Sequence, residues 1–286
     1  MVRLGTPSRL TARERARRTA RGGASRSAPV PLLAPALIAI AFLVLPLIGL
    51  VIRAPWGHLG PALSGSDATQ ALVLSVWTAT TATAISLVIG VPLAWVLART
   101  SFTGQRLLRA LVTLPLVLPP VVGGVALLLV FGRTGFVGRL LDSWFGLTIP
   151  FTPIAVVMAE TFVAMPFLII TVEGALRSAD QGFEEAAATL GAKRMTVFRR
   201  VTLPMVAPSL AAGAVLCWAR ALGEFGATIT FAGSFPGQTE TMPIAVYYAL
   251  ENDPDAAIAL SLVLLAVSIA VLVSLRDHWL RRGSVA

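Results

Sequence analysis

The chain has 286 residues, 56% hydrophobic and 13% charged, with mean hydropathy +0.81 and formal net charge +9. A soluble domain carries about 25% charged residues, so this composition is that of an integral membrane protein. A nucleic-acid binder is disfavoured too, because most basic residues fall between or beside apolar runs instead of forming a patch on a polar surface.

Residues 1–28 hold eight arginines and one acid and show no sustained apolar face, which predicts a disordered basic tail held near anionic lipid. The next 23 residues, Val30 to Ile52, carry no charge. That run is too long for the core of a signal peptide and no clear small-residue cleavage site follows. It is read as a first transmembrane helix, bent at Pro35 or Pro46, within a segment 29–69 that includes an outer loop.

Five further spans are expected at about 70–98, 110–131, 153–172, 207–231 and 256–275. Each is long enough to cross roughly 30 Å of hydrocarbon, and a helix satisfies its own backbone there. Gly90, Pro92, Pro115, Pro119, Pro120, Gly123, Gly124 and Pro166 punctuate them, allowing close helix approach and kinks. The fourth span contains Glu160, a charge that must face the interior or water, be protonated, or find a partner. Arg220 and Glu224 stand at i and i+4 in the fifth span and can pair there. Cys217, the single cysteine, excludes an internal disulfide and is read as a small core residue. His58 and His278 lack companions at ligand spacing, so no metal site is predicted.

Between the fourth and fifth spans lies a polar, basic stretch, Glu184 to Pro204. Glu184 and Glu185 suit the first turn of a short helix reaching Leu190, and Gly191 suits the left-handed position that ends it. Lys193 to Leu203 reads as a second short helix closed by Pro204. Its apolar side holds Met195, Val197, Phe198, Val201 and Leu203, and its charged side Lys193, Arg194, Arg199 and Arg200. Six spans place both termini on one side. With the N-terminus inside, 19 of the 23 Lys and Arg fall on inner segments, whereas the last outer loop carries Glu240, Glu251, Asp253 and Asp255 and no base. The positive-inside rule therefore predicts that tail, hairpin and C-terminus (276–286) are cytoplasmic, on a multi-pass protein of the cytoplasmic membrane whose main domain is 70–275.

The anchors Glu185-Ala186-Ala187, then Gly191, then Val201-Thr202-Leu203-Pro204 resemble, in type and spacing, the EAA loop of ABC-importer permeases. The resemblance implies an all-α, six-helix type I importer transmembrane domain that works as a homodimer. It also implies that the hairpin is the coupling helix seated on a separate cytoplasmic ATPase, with Glu184, Glu185, Ala186, Ala187, Gly191, Arg199, Val201, Leu203 and Pro204 as coupling residues. The stretch from Ala219 to Thr230, followed by Pro236-Gly237-Gln238-Thr239, resembles the fifth-span signature of molybdate and sulfate permeases and leans to the molybdate branch, although Gly233-Ser234-Phe235 departs from the Ser-Asn-Ile often found there. This second resemblance covers roughly Ala71 to Leu275. It implies import of molybdate delivered by an extracytoplasmic oxyanion-binding protein, with sulfate, thiosulfate or tungstate left open. Glu160, Arg220, Glu224, Thr228 and Thr230 become candidate pathway residues.

No G-x-x-x-x-G-K-[ST] phosphate loop occurs. ATP and Mg are accordingly expected on the partner, with no cofactor and no enzyme activity on this chain. Two rivals stand beside this reading. A secondary transporter would give no reason for a docking hairpin, and a membrane enzyme lacks a catalytic constellation.

Overall fold

The structure, a computed structural model, describes residues 30–57 and 65–282. The expected tail 1–28 and His58 lie outside them. The chain divides into two compact units, Met1–Ile52 and Arg53–Ala286. In the first, α1 (Val30–Ile52) holds Pro35 and Pro46 inside one helix, and residues 31–49 are exposed on every side. A helix apolar all round is built for lipid or for packing against other helices.

The second unit is a bundle around α6 (Pro153–Ser178), in which 13 of the 26 residues are buried. Thr152 caps its start by accepting the Ala155 N–H, and Pro153 occupies the first turn, where no N–H is needed. Packed on α6 are α2 (Ser66–Arg99), α9 (Leu203–Leu222), α3 (Gln105–Val117), α4 (Pro120–Phe131) and α10 (Gly226–Ala232). Around these lie α5 (Phe136–Phe145), α11 (Met242–Asn252) and α12 (Pro254–Arg282). One core joins α2, α6 and α9 through Leu97, Leu168, Ile169, Val172 and the buried Cys217. A second joins α4, α6 and α10 through Leu127, Val156, Ala159 and Phe231. In lipid such contacts are held by close packing more than by exclusion of water. Thr83 and Ser86 accordingly turn their hydroxyls onto the Ala79 and Ala82 carbonyls of their own helix.

Among the described residues, five helices are long and apolar enough to cross a bilayer, and one bent pair makes a sixth candidate. The expected third span at 110–131 is not a single helix: α3 and α4 meet at 116°. Leu118 and Pro119 each precede a proline and are driven to extended geometry, with ψ of 134° and 132°. Neither Pro119 nor Pro120 has an N–H to continue the ladder.

The expected fifth span at 207–231 is also broken, because α9 ends at Leu222 and α10 starts at Gly226. At its other end, Pro204 does not close the second hairpin helix. The chain runs from α8 (Arg194–Val197) through a π turn, Phe198–Thr202, straight into α9. Pro204 lacks the N–H that would bond Arg200. The ladder is one residue wider beside it, with the Leu203 N–H bonded to the Phe198 carbonyl five residues back. The fourth span extends to Ser178, and α12 continues to Arg282, through residues expected to belong to a tail.

Candidate functional site

The hairpin begins with α7 (Gly182–Thr189), whose first turn holds Glu184 and Glu185. Gly191 follows at φ +84°. The Ala192 N–H bonds the Ala187 carbonyl at 3.1 Å and the Gly191 N–H bonds the Ala188 carbonyl at 2.9 Å. This is the six-to-one and five-to-two pair of a Schellman cap, and it needs a left-handed residue where Gly191 stands. The turn thus rests on the glycine that the spacing singled out.

The hairpin has two faces. Glu185, Ala186, Arg199 and Arg200 are exposed, together with the large apolar side chains Phe183, Leu190 (88%) and Met195. Met195 therefore does not join the packed side expected of it. Val197 is buried, Phe198, Val201 and Leu203 are half-buried, and Phe198 meets the α2 ring of Trp95 edge-on at 6.3 Å. Ala187 is half-buried, while Gly191 and Pro204 are exposed.

Glu184 faces inward. Its Oε1 accepts from the Arg99 guanidinium at 2.9 Å and from the Thr202 hydroxyl at 3.0 Å. Beside it, Glu173 Oε1 holds Arg109 at 2.8 Å and Arg177 at 3.1 Å. The Leu97 carbonyl accepts from Gln105, Arg109 and Arg177. In the sequence these arginines register as inner-side charges, and their partners are not legible there. The Glu173–Arg177 spacing of four was the one available signal.

The second constellation lies inside the bundle. Glu160 on α6 is 1% exposed; its Oε1 accepts from the Thr78 hydroxyl of α2 at 2.9 Å, and its Oε2 has no partner. Glu224, in the turn between α9 and α10, is equally buried. Its Oε1 takes the Ala227 N–H at 2.8 Å, anchoring the start of α10. Its Oε2 lies 2.7 Å from the Arg220 guanidinium, a close ionic contact without hydrogen-bond alignment. The expected pair therefore forms, but across the end of a helix and not along a continuous one.

Thr228 is fully buried and its hydroxyl unpartnered, as is that of Thr241. Thr230 turns its hydroxyl back onto the Gly226 carbonyl at 2.7 Å. Close helix approach carries this arrangement. A Cβ on Gly124 of α4 would stand 2.7 Å from the Ala227 carbonyl and 2.8 Å from Thr230 Cβ, and one on Gly226 would stand 3.0 Å from Pro120. Thr78, the partner of Glu160, carries no sequence signal beyond being a hydroxyl in an apolar run.

Such a bundle has the parts of a transport protein: buried charges that are each partly compensated, a broken helix beside them, and an amphipathic hairpin whose second half runs on into a span. Comparison with known proteins agrees. Residues 90–282 match the family described as binding-protein-dependent transport system inner membrane component. The molybdenum transport system permease protein ModB of Mycobacterium bovis is 49% identical over 237 residues, covering 83% of this chain and 89% of that one. ModB of Escherichia coli K12 is 41% identical, covering 75% and 94%. The sulfate transport system permease protein CysT of Salmonella typhimurium is 35% identical, covering 86% and 90%.

Among solved structures, a bacterial alginate ABC transporter, in complex with an alginate pentasaccharide-bound periplasmic protein, superposes with TM-score 0.71 at 20% identity, covering 90% and 94%. The MetNI methionine ABC transporter in inward-facing form gives TM-score 0.56 at 20% identity, covering 75% and 97%. The fold is the all-α transmembrane domain of a type I ABC importer, and the chain belongs to the family of binding-protein-dependent transport system inner membrane components.

Proposed function

We propose that this chain is the membrane permease subunit of an ATP-driven importer that carries molybdate across the cytoplasmic membrane by alternating access. The observation that carries the proposal is the hairpin. Phe183, Leu190 and Met195 are exposed apolar side chains on a basic, amphipathic element that lies between spans. Exposed apolar side chains outside the membrane mark a protein–protein contact. The partner is a separate ATPase subunit that supplies ATP and Mg. Two copies of this chain surround the pathway, and an extracytoplasmic oxyanion-binding protein delivers the dianion. The bias of basic residues toward the tail, the hairpin and the C-terminal end supports a cytoplasmic position for all three.

Motion of the paired ATPases would pull the hairpins together and swing the bundles between inward-open and outward-open forms. Within the bundle, Arg220 offers a guanidinium whose charge Glu224 partly offsets, which suits an anion that must be held and then released. The identities to ModB relatives support molybdate, and the lower identity to CysT makes sulfate the second reading. Both are tetrahedral dianions.

The test is uptake in vesicles carrying the permease, its ATPase and its binding protein. ATP-dependent accumulation of radiolabelled molybdate, not displaced by a tenfold excess of sulfate, is expected. Displacement by sulfate would move the assignment to the second reading, and accumulation without the ATPase would refute the importer class.

A further inference from the structure

Glu184 sits in the hairpin, yet its carboxylate is turned inward, onto Arg99 and Thr202 of its own chain. One oxygen, Oε1, ties together three points far apart in the chain: Arg99, the last residue of α2; Glu184 itself, in the first turn of α7; and Thr202, where the π turn runs into α9. The Arg99 side chain is 6% exposed and that of Glu184 18%. This is a nearly enclosed ion pair, not a surface one of negligible worth.

The two halves of the hairpin are attached differently. The second half continues covalently into α9 and packs Val197 and Phe198 inward, with Phe198 against Trp95. The first half, α7, has no buried residue, and its main packing is on the rest of the hairpin. The Arg99–Glu184 pair ties it to α2.

We infer that Arg99 and Glu184 form the strut through which movement of the hairpin reaches α2, and so that Glu184 is a positioning residue facing this chain and not a contact for the ATPase. The inference rests on the coupling role of the hairpin and adds its mechanical path. A load on the exposed face of α7 is passed through a short, enclosed ionic bond to the end of a 34-residue helix that packs along α6. Thr202 holds the same carboxylate in place, so the load on α7 and that on α9 enter together. Without the pair, α7 would yield under the partner's pull while α2 stayed put.

The complex reconstituted with its ATPase and binding protein tests this, reading molybdate moved per ATP hydrolysed. Arg99→Ala and Glu184→Ala should each co-purify with the ATPase and hydrolyse ATP within about twofold of wild type, while transport per ATP falls about tenfold. The exchanged double variant, Arg99→Glu with Glu184→Arg, should recover most of that ratio, which general damage to the fold would not allow. Glu184→Gln keeps an acceptor for Thr202 and loses the charge; it should fall about threefold and serves if the alanine variants do not accumulate.

Loss of the ATPase on Glu184→Ala but not on Arg99→Ala would overturn the inference, because Glu184 would then touch the partner. An unchanged ratio in both single variants would overturn it as well. If the wild-type complex itself neither binds the ATPase nor transports, the coupling reading fails and the strut falls with it, an outcome distinct from the other two.

Discussion

Glu224 and Arg220 are a pair in which the two members carry unequal duties. Glu224 is buried and serves both the Arg220 guanidinium and the Ala227 N–H, whereas the Arg220 side chain is 27% exposed. Glu224→Ala removes an anchor of α10 and leaves a cation in a low-dielectric site, at a cost of about 3 kcal/mol. Arg220→Ala strands an acid that still holds a backbone donor and should cost less. Melting in detergent should rank Glu224→Ala below Arg220→Ala, with both lowering molybdate uptake. The double change should be less damaging than the two single effects combined. Equal melting of the two single variants would mean that the contact with α10 contributes nothing. Gly124 is a sharper case. A methyl group there meets backbone at 2.7 Å, so Gly124→Ala must push α4 from α10 and should destabilise by about 2 kcal/mol. Gly174→Ala, with nothing within 4 Å of the new Cβ, is the matched control and should melt as the wild type does.

At the scale of the element, the hairpin is defined by one backbone angle. Gly191 at φ +84° closes the Schellman cap, and a β-branched residue is strongly disfavoured there. Gly191→Val should cost about 2 kcal/mol locally. It should abolish uptake while insertion and the bundle's melting temperature stay near wild type, since α7 lies outside the core. Normal uptake at normal expression would refute the docking role. Glu185→Lys tests the exposed face without touching the turn, and loss of ATPase co-purification is the expected result.

At the scale of the whole molecule, the orientation rests on charge bias. A cysteine at Gln238, exposed in the loop between α10 and α11, should react with an impermeant thiol reagent on intact cells. A cysteine at Lys193 should react only after permeabilisation. Cys217 is fully buried and should stay silent in both. The opposite pattern would reverse the assignment of sides.

The sequence by itself determined the membrane class, the six apolar segments, the hairpin and its turn glycine, and the family. All of these are written in local composition and spacing, which hydrocarbon thickness, helix period and a left-handed backbone angle read directly. It could not place the breaks in the third and fifth segments. Those depend on whether tertiary contacts re-satisfy the backbone groups freed at Pro119–Pro120 and at Gly223–Phe225, and proline and glycine alone are compatible with a kinked continuous span. Nor could it choose partners for the charges. Arg99 finds Glu184 and Thr78 finds Glu160 over 85 and 82 residues of chain, and nothing in the local pattern selects them. Glu184 and Glu185 are adjacent and chemically alike, yet one faces in and the other out. Only packing α7 beside the end of α2 decided which, because consecutive side chains of a helix point about 100° apart.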